Sequence, residues 1–209
     1  MAYAVTLTVE PATTARNRLT TAFRLILAIP HIILVGGVGF SASRNAGGGN
    51  SSFGGETGLL GAVAWFLAIV SWFTIVFSGQ QIIGIRQFTL FYLRWKVRAL
   101  AYIMLFEDQY PPFGDLPYPA GVTVVDPAVP RNRLSVGFRL ILAIPHFILL
   151  FFLCVAWWIV SIVAWVMILF TGEYPRGLCD FALGVFRWFI RVEAYMLLLI
   201  DEYPPFSLS

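Results

Sequence analysis

The stretch FRLILAIPH occurs twice, as Phe23–His31 and as Phe138–His146. Each copy is preceded by Arg-Asn-Arg-Leu, at Arg16–Leu19 and Arg131–Leu134. A nine-residue identity within one chain of 209 residues marks an internal duplication, so every other residue is read against its counterpart. The first repeat covers residues 1–113 and the second 131–209. A proline-rich linker with a short extended segment, 114–130, joins them.

The chain is 59% hydrophobic and 12% charged, with a mean hydropathy of +0.80. Soluble domains run about 45–50% apolar and about 25% charged. Gly58–Gly79 and Leu140–Gly172 carry no charge. Each exceeds the roughly 20 residues that a helix needs to cross a hydrocarbon core, and this implies an all-helical integral membrane protein. The net charge is +3, and the basic residues flank apolar segments instead of clustering on a polar domain. Nucleic acid is therefore not an expected partner. Met1–Glu10 lacks the basic start and apolar core of a signal peptide. Cys154 and Cys179 stand at unrelated repeat positions and read as two free thiols.

Val5, Leu7 and Val9 alternate with polar residues. Val122–Pro127 precedes the second repeat in the same way, so the two segments are expected to pair as a short β-ribbon. Leu19–Val35 reads as the first apolar helix, with a kink or an end at Pro30. The Gly/Ser/Asn-rich segment 36–58 reads as a flexible loop. The second repeat has no equivalent. Because insertions are tolerated in loops and not inside packed helices, a tight turn is expected near Leu150–Leu153, between two helices. The second helices are then Leu59–Phe77 and Val155–Phe170. The third elements, Phe88–Phe106 and Phe181–Ile200, carry Arg94, Arg98 and Tyr102, and Arg187, Arg191 and Tyr195, at i, i+4, i+8 on one face. That pattern suggests amphipathic helices in the headgroup region. Each repeat closes on an aspartate (Asp108, Asp201) and then Tyr-Pro-Pro-Phe.

The expected topology is four spans in two hairpins, each followed by an interfacial helix, with both termini cytoplasmic by the positive-inside rule. The alternative is six spans with inverted repeats. It would put Arg94 and Arg98 in lipid at about +2.5–3.5 kcal/mol each.

FRLILAIPH, LFTGEYPRGLCDF (Leu169–Phe181) and RWFIRVEAYMLLLIDEYPPF (Arg187–Phe206) together resemble an uncharacterised bacterial membrane family, domain of unknown function 4389, in two tandem copies. The first copy departs from the pattern at Ser78–Ile83 and at its long loop. The resemblance implies the bacterial cytoplasmic (inner) membrane and a multi-pass chain, and it carries no activity.

His31 and His146 hold equivalent places in apolar helices. Facing imidazoles can hold a haem or a metal ion, and the competing reading is an imidazole bonded to a neighbouring helix. Asp108 and Asp201, with Glu107 and Glu202, read as helix stops that pair with Arg98, Arg191 or the Arg-Asn-Arg segments, ahead of any catalytic pair. No nucleophile elbow, Walker loop, zinc spacing or dinucleotide fingerprint occurs, and Gly47–Gly49 is loop composition. The interface-binding set is Arg24, Arg94, Trp95, Arg98, Tyr102, Arg139, Arg187, Trp188, Arg191 and Tyr195. It would draw anionic lipid at about 1 kcal/mol per basic residue.

The function expected from these residues is a non-enzymatic accessory or scaffold subunit. It would pack against a larger membrane complex and bind lipid, without a cofactor. A small duplicated transporter or channel, and a redox module using the two histidines, are the alternatives.

Overall fold

The computed structural model describes residues 3–37, 41–43, 50–52, 58–127 and 131–208. In chain order its elements are β1 (Val5–Val9), α1 (Arg18–Val35), β2 (Ser41–Ser43), β3 (Asn50–Ser52), α2 (Gly58–Ser78), α3 (Ile83–Ile103), β4 (Ala120–Val124), α4 (Arg133–Gly137), α5 (Arg139–Thr171) and α6 (Arg176–Met196). The expected ribbon forms: β1 pairs antiparallel with β4, Val5 opposite Val124 and Val9 opposite Ala120. Two strands alone are marginal. This pair is anchored by the buried Val5, Ala120 and Val122 on the shared core. Within the expected flexible loop, β2 pairs antiparallel with β3. The rest of the expected loop, at 38–40, 44–49 and 53–57, lies outside the described residues.

α1, α2 and α5 are long and apolar enough to cross a membrane. Among the described residues that makes three candidate spans where the sequence reading expected four. The difference lies in the second repeat. No turn occurs at Leu150–Leu153, and α5 runs unbroken for 33 residues, through Pro145. The run offers no glycine to stop a helix before Gly172, which takes φ +77 as its C-terminal cap.

The hairpin expected in the first repeat is also absent. Trp72 Nε1 donates to the Val136 carbonyl at 3.0 Å, and Trp165 Nε1 donates to the Thr21 carbonyl at 3.0 Å. Val136 and Trp165 lie at opposite ends of α4–α5, about 40 Å apart at 1.5 Å per residue. Thr21 and Trp72 must be separated by a similar distance. From Thr21 to Val35 and from Gly58 to Trp72, helix supplies only about 21 Å each. α1 and α2 can bridge that span only end to end. Their junction agrees: a Cβ on Gly58 would fall 2.5 Å from the Gly36 nitrogen and 2.6 Å from the Leu34 carbonyl oxygen.

Residues 36–57 are therefore an insertion into one long helix. The buried positions confirm the register. Thr21, Arg24, Ala28, His31 and Val35 continue as Gly61, Ala64, Ala68, Ser71 and Ile75. In α4 and α5 the buried counterparts are Val136, Arg139, Ala143, His146, Leu150, Trp157, Ser161, Ala164 and Ile168. Spacings of three and four, with a single step of seven from Leu150 to Trp157 across the half-buried Cys154, are one stripe of a heptad. Around the stripe, the long helices expose apolar side chains such as Phe23, Phe66, Phe73, Leu140, Phe152 and Phe170. The two long helices run antiparallel, and the exchange of Trp72 and Trp165 relates the repeats by an approximate twofold.

α3 and α6 pack on the stripes. The sequence reading placed them in the headgroup region. Within the chain they are largely covered: α3 is buried from Tyr92 to Ile103 except at Arg94. The reason is chemical pairing, since the basic face of α3 meets acidic partners within the chain.

Candidate functional site

The Arg-Asn-Arg-Leu segments do three jobs. Asn17 caps α1, its side chain accepting from the Leu19 and Thr20 amides at 3.1 and 3.2 Å, and Asn132 accepts from the Ser135 amide at 3.2 Å. The second arginine crosses to the other repeat. A Cβ on Gly172 would lie 3.4 Å from Arg18 Nε, and one on Gly79 would lie 3.1 Å from Arg133 Nε. Each guanidinium thus sits at the C-terminus of the other repeat's long helix, where the helix dipole favours a cation.

The first arginine enters a buried cluster. Arg16 Nε donates to Asp108 at 2.9 Å, and Arg24 Nη2 reaches the same carboxylate at 2.5 Å. Arg131 holds Asp201 through Nε at 2.6 Å and Nη2 at 2.5 Å, and Arg139 Nη2 donates to it at 2.9 Å. Arg24 also donates to the Tyr102 carbonyl at 2.8 Å with its guanidinium 4.6 Å from the Tyr102 ring centroid. Arg139 matches at 2.6 Å from the Tyr195 carbonyl and 4.2 Å from the Tyr195 ring. Leu105 and Leu198 adopt φ +69 and +61. That left-handed turn aims the Leu105 carbonyl at Arg16 (2.6 Å) and the Leu198 carbonyl at Arg131 (3.0 Å). Burial pushes the Asp108 carboxyl up, but the Asn17 amide and the Arg16 and Arg24 guanidiniums outweigh it and hold the group below the usual range. Asp108 and Asp201 therefore pair with the Arg-Asn-Arg segments, one of the partners expected, and not with Arg98 or Arg191.

The histidines form a second duplicated cluster. Trp95 Nε1 donates to His31 Nδ1 at 3.1 Å, and Trp188 Nε1 donates to His146 Nδ1 at 3.1 Å. An indole N–H can only donate, so each Nδ1 is an acceptor and each ring is the neutral Nε2–H tautomer. Phe113 stacks on His31 at 4.5 Å and Phe206 on His146 at 4.2 Å. This explains the repeated Tyr-Pro-Pro-Phe: its phenylalanine lids an imidazole. A metal would need one of these nitrogens released from its bond or its proton. Among the described residues no group of three His, Cys, Asp or Glu side chains is placed to hold a metal ion.

Of the ten residues expected at the lipid interface, Arg24, Trp95, Arg98, Tyr102, Arg139, Trp188 and Tyr195 are buried in contacts within the chain. Arg94, Arg187 and Arg191 keep partial exposure. Arg98 donates to the Gly114 carbonyl at 2.6 Å and pairs with Asp115, which Arg94 reaches at 3.3 Å. Arg191 lies 5.5 Å from the Tyr3 ring. Glu202 accepts from the Ala4 amide at 3.2 Å. Cys154 and Cys179 are free thiols.

The sequence reading missed the Lys96–Glu193 pair and the burial of Glu107, expected only as part of a helix stop. Lys96 Nζ and Glu193 Oε1 form a buried pair at 2.6 Å between α3 and α6, with Tyr92 Oη 3.4 Å from the same oxygen. Glu107 is buried, and desolvation by that burial raises its carboxyl to about 7. A signal was present: these residues occupy places where the other repeat has Phe189, Leu100 and Ile200.

The match to a family rests on both halves. The model for domain of unknown function DUF4389 matches residues 53–114 and 133–207. The chain belongs to this family. DUF4389 thus occurs here as two tandem copies, and the second match takes in α4, α5, α6 and the closing Tyr-Pro-Pro-Phe. No curated protein and no solved structure matches the chain.

Proposed function

We propose that this DUF4389 protein is a non-enzymatic, membrane-embedded scaffold. The observation that carries this reading is the contrast between its interior and its exterior. Inside, the duplicated arginines, aspartates, tryptophans and histidines are committed to one another. Outside, α1, α2 and α5 present Phe23, Phe66, Phe73, Leu140, Phe152 and Ile159 to whatever surrounds them. Apolar surface on this scale is covered by acyl chains or by other membrane helices. The partly exposed Arg94, Arg187 and Arg191 are the residues this reading assigns to anionic headgroups. The inner membrane of a bacterium is the proposed location, with a larger membrane complex as partner.

The test is photo-crosslinking in native membranes from positions Phe66 and Ile159. A discrete adduct with one other membrane protein, lost on moving the probe to the buried Ala64, supports the scaffold. Recovery of the protein alone and monodisperse, with lipid adducts only, removes it.

The transport alternative has one observation in its favour, the buried Lys96–Glu193 pair beside Tyr92, whose Glu193 Oε2 has no partner among the described residues. Solute flux in proteoliposomes that disappears in Glu193→Gln would favour it.

A further inference from the structure

We propose that the two long helices lie in the plane of the membrane, embedded in one leaflet, instead of crossing it. The inference rests on the membrane reading above and concerns how the apolar face meets lipid. Three observations carry it.

The first is length. α5 has 33 residues and is about 50 Å long, against a hydrocarbon core of about 30 Å. Fitting it across would need a tilt of about 53°, beyond the roughly 0–40° found for spanning helices. In the first repeat α1 and α2 each have the length of one span, yet they lie end to end. If α1 crosses, α2 stands beyond the far face with Phe66, Ile69, Phe73 and Phe77 in water.

The second is charge. The approximate twofold puts Arg16 and Arg18 at one end of the antiparallel pair and Arg131 and Arg133 at the other. A transverse placement would give the two membrane faces matching basic sets, against the positive-inside bias. An in-plane placement puts both sets at the same interface. Between those ends, Leu140–Gly172 has no charge.

The third is sidedness. Each long helix buries one stripe against α3 and α6 and leaves its remaining faces apolar and exposed. The β1–β4 ribbon packs on α3 and α6. Lipid acyl chains of a single leaflet are the occupant this layout fits, because among the described residues the exposed side chains of α1, α2 and α5 are predominantly apolar along each helix.

The experiment uses the full chain with Cys154→Ala and Cys179→Ala, reconstituted into phosphatidylcholine–phosphatidylglycerol vesicles. Nitroxide labels are placed singly at Ile141→Cys, Ile148→Cys, Val155→Cys and Ile162→Cys. All four native residues are exposed and, spaced by seven, share one helix face. Together they span about 31 Å of helix. Oxygen and paramagnetic-metal accessibility should report one common depth. A profile that deepens to the middle and shallows again overturns the in-plane placement and leaves the membrane reading standing. Water exposure at all four sites overturns both. Should the labelled variants fail to fold, amide I dichroism of the unlabelled protein in oriented bilayers decides: helix order along the membrane plane supports the proposal, and order along the normal overturns it.

Discussion

Asp201 should be the most sensitive residue of the duplicated clusters, more so than either arginine it holds. It accepts both Arg131 and Arg139, whose side chains are each 2% exposed. Asp201→Asn removes the charge and leaves two buried guanidiniums facing each other. Breaking a buried pair from one side costs about 3–5 kcal/mol. Arg139→Ala is milder, because Arg131 still holds Asp201 through two bonds. Its losses are the Tyr195 carbonyl partner, about 1–3 kcal/mol, and the contact with the Tyr195 ring, about 0.5–2 kcal/mol, for an expected cost of about 1.5–5 kcal/mol, centred below that of Asp201→Asn. Arg139→Lys should recover part of this, since lysine lacks the planar fork. The double variant Arg139→Ala/Asp201→Asn should cost less than the sum of the two, by more than about 0.5 kcal/mol, as groups in one network couple. Arg94→Ala is the control: its pair with Asp115 is 37% and 40% exposed and should contribute about 0–1 kcal/mol. The assay is thermal and denaturant unfolding in one detergent. If Asp201→Asn costs no more than Arg94→Ala, the clusters are ordinary surface pairing and the energetic argument fails.

Three further outcomes follow from the same geometry. Deleting residues 36–57 and joining Val35 to Gly58, with Gly58→Ala to remove the φ +59 glycine, should give a stable protein with one continuous helix, as α5 already is; aggregation or loss of helix content would contradict the end-to-end reading. Glu107 has a carboxyl raised to about 7 from 4.5, so the folded state holds its proton more tightly than the unfolded chain; stability should fall as pH rises from about 4.5 to about 7, and Glu107→Gln should flatten that slope in pH-dependent unfolding. Trp188→Phe deprives His146 Nδ1 of its donor and should cost about 1–3 kcal/mol, with the imidazole nitrogen shifts in NMR reporting a mixture of tautomers.

Much of the architecture was legible in the sequence because it repeats. The duplication and the ribbon from Val5–Val9 and the linker strand come from aligning the halves, the helix at Leu19–Val35 from its apolar run, and the Arg-Asn-Arg segments are one of the partners expected for Asp108 and Asp201. The turn at Leu150–Leu153 was misread for a physical reason. The Gly/Ser-rich segment 36–58 suggests a turn common to both repeats, whereas an insertion at a helix junction leaves the heptad stripe of Val35 and Gly61 undisturbed. Which way a helix continues after such a break depends on distant contacts, here Trp72 with Val136 and Trp165 with Thr21. The basic stripe Arg94–Arg98 was misread because local pattern cannot show that Asp115 folds back to meet it. Lys96 and Glu193 were visible as departures from the repeat, but only the packing of α3 on α6 shows that they compensate each other.

The central claim, that α1 and α2 lie end to end, is tested most directly by a single distance. Nitroxides at Phe23→Cys and Phe73→Cys, both exposed positions, in the Cys154→Ala/Cys179→Ala background, should give a pulsed electron–electron resonance distance near 42 Å, from about 28 helical steps of 1.5 Å. A distance of about 10–15 Å, the separation of neighbouring antiparallel helices with their labels, would restore the hairpin and contradict the account.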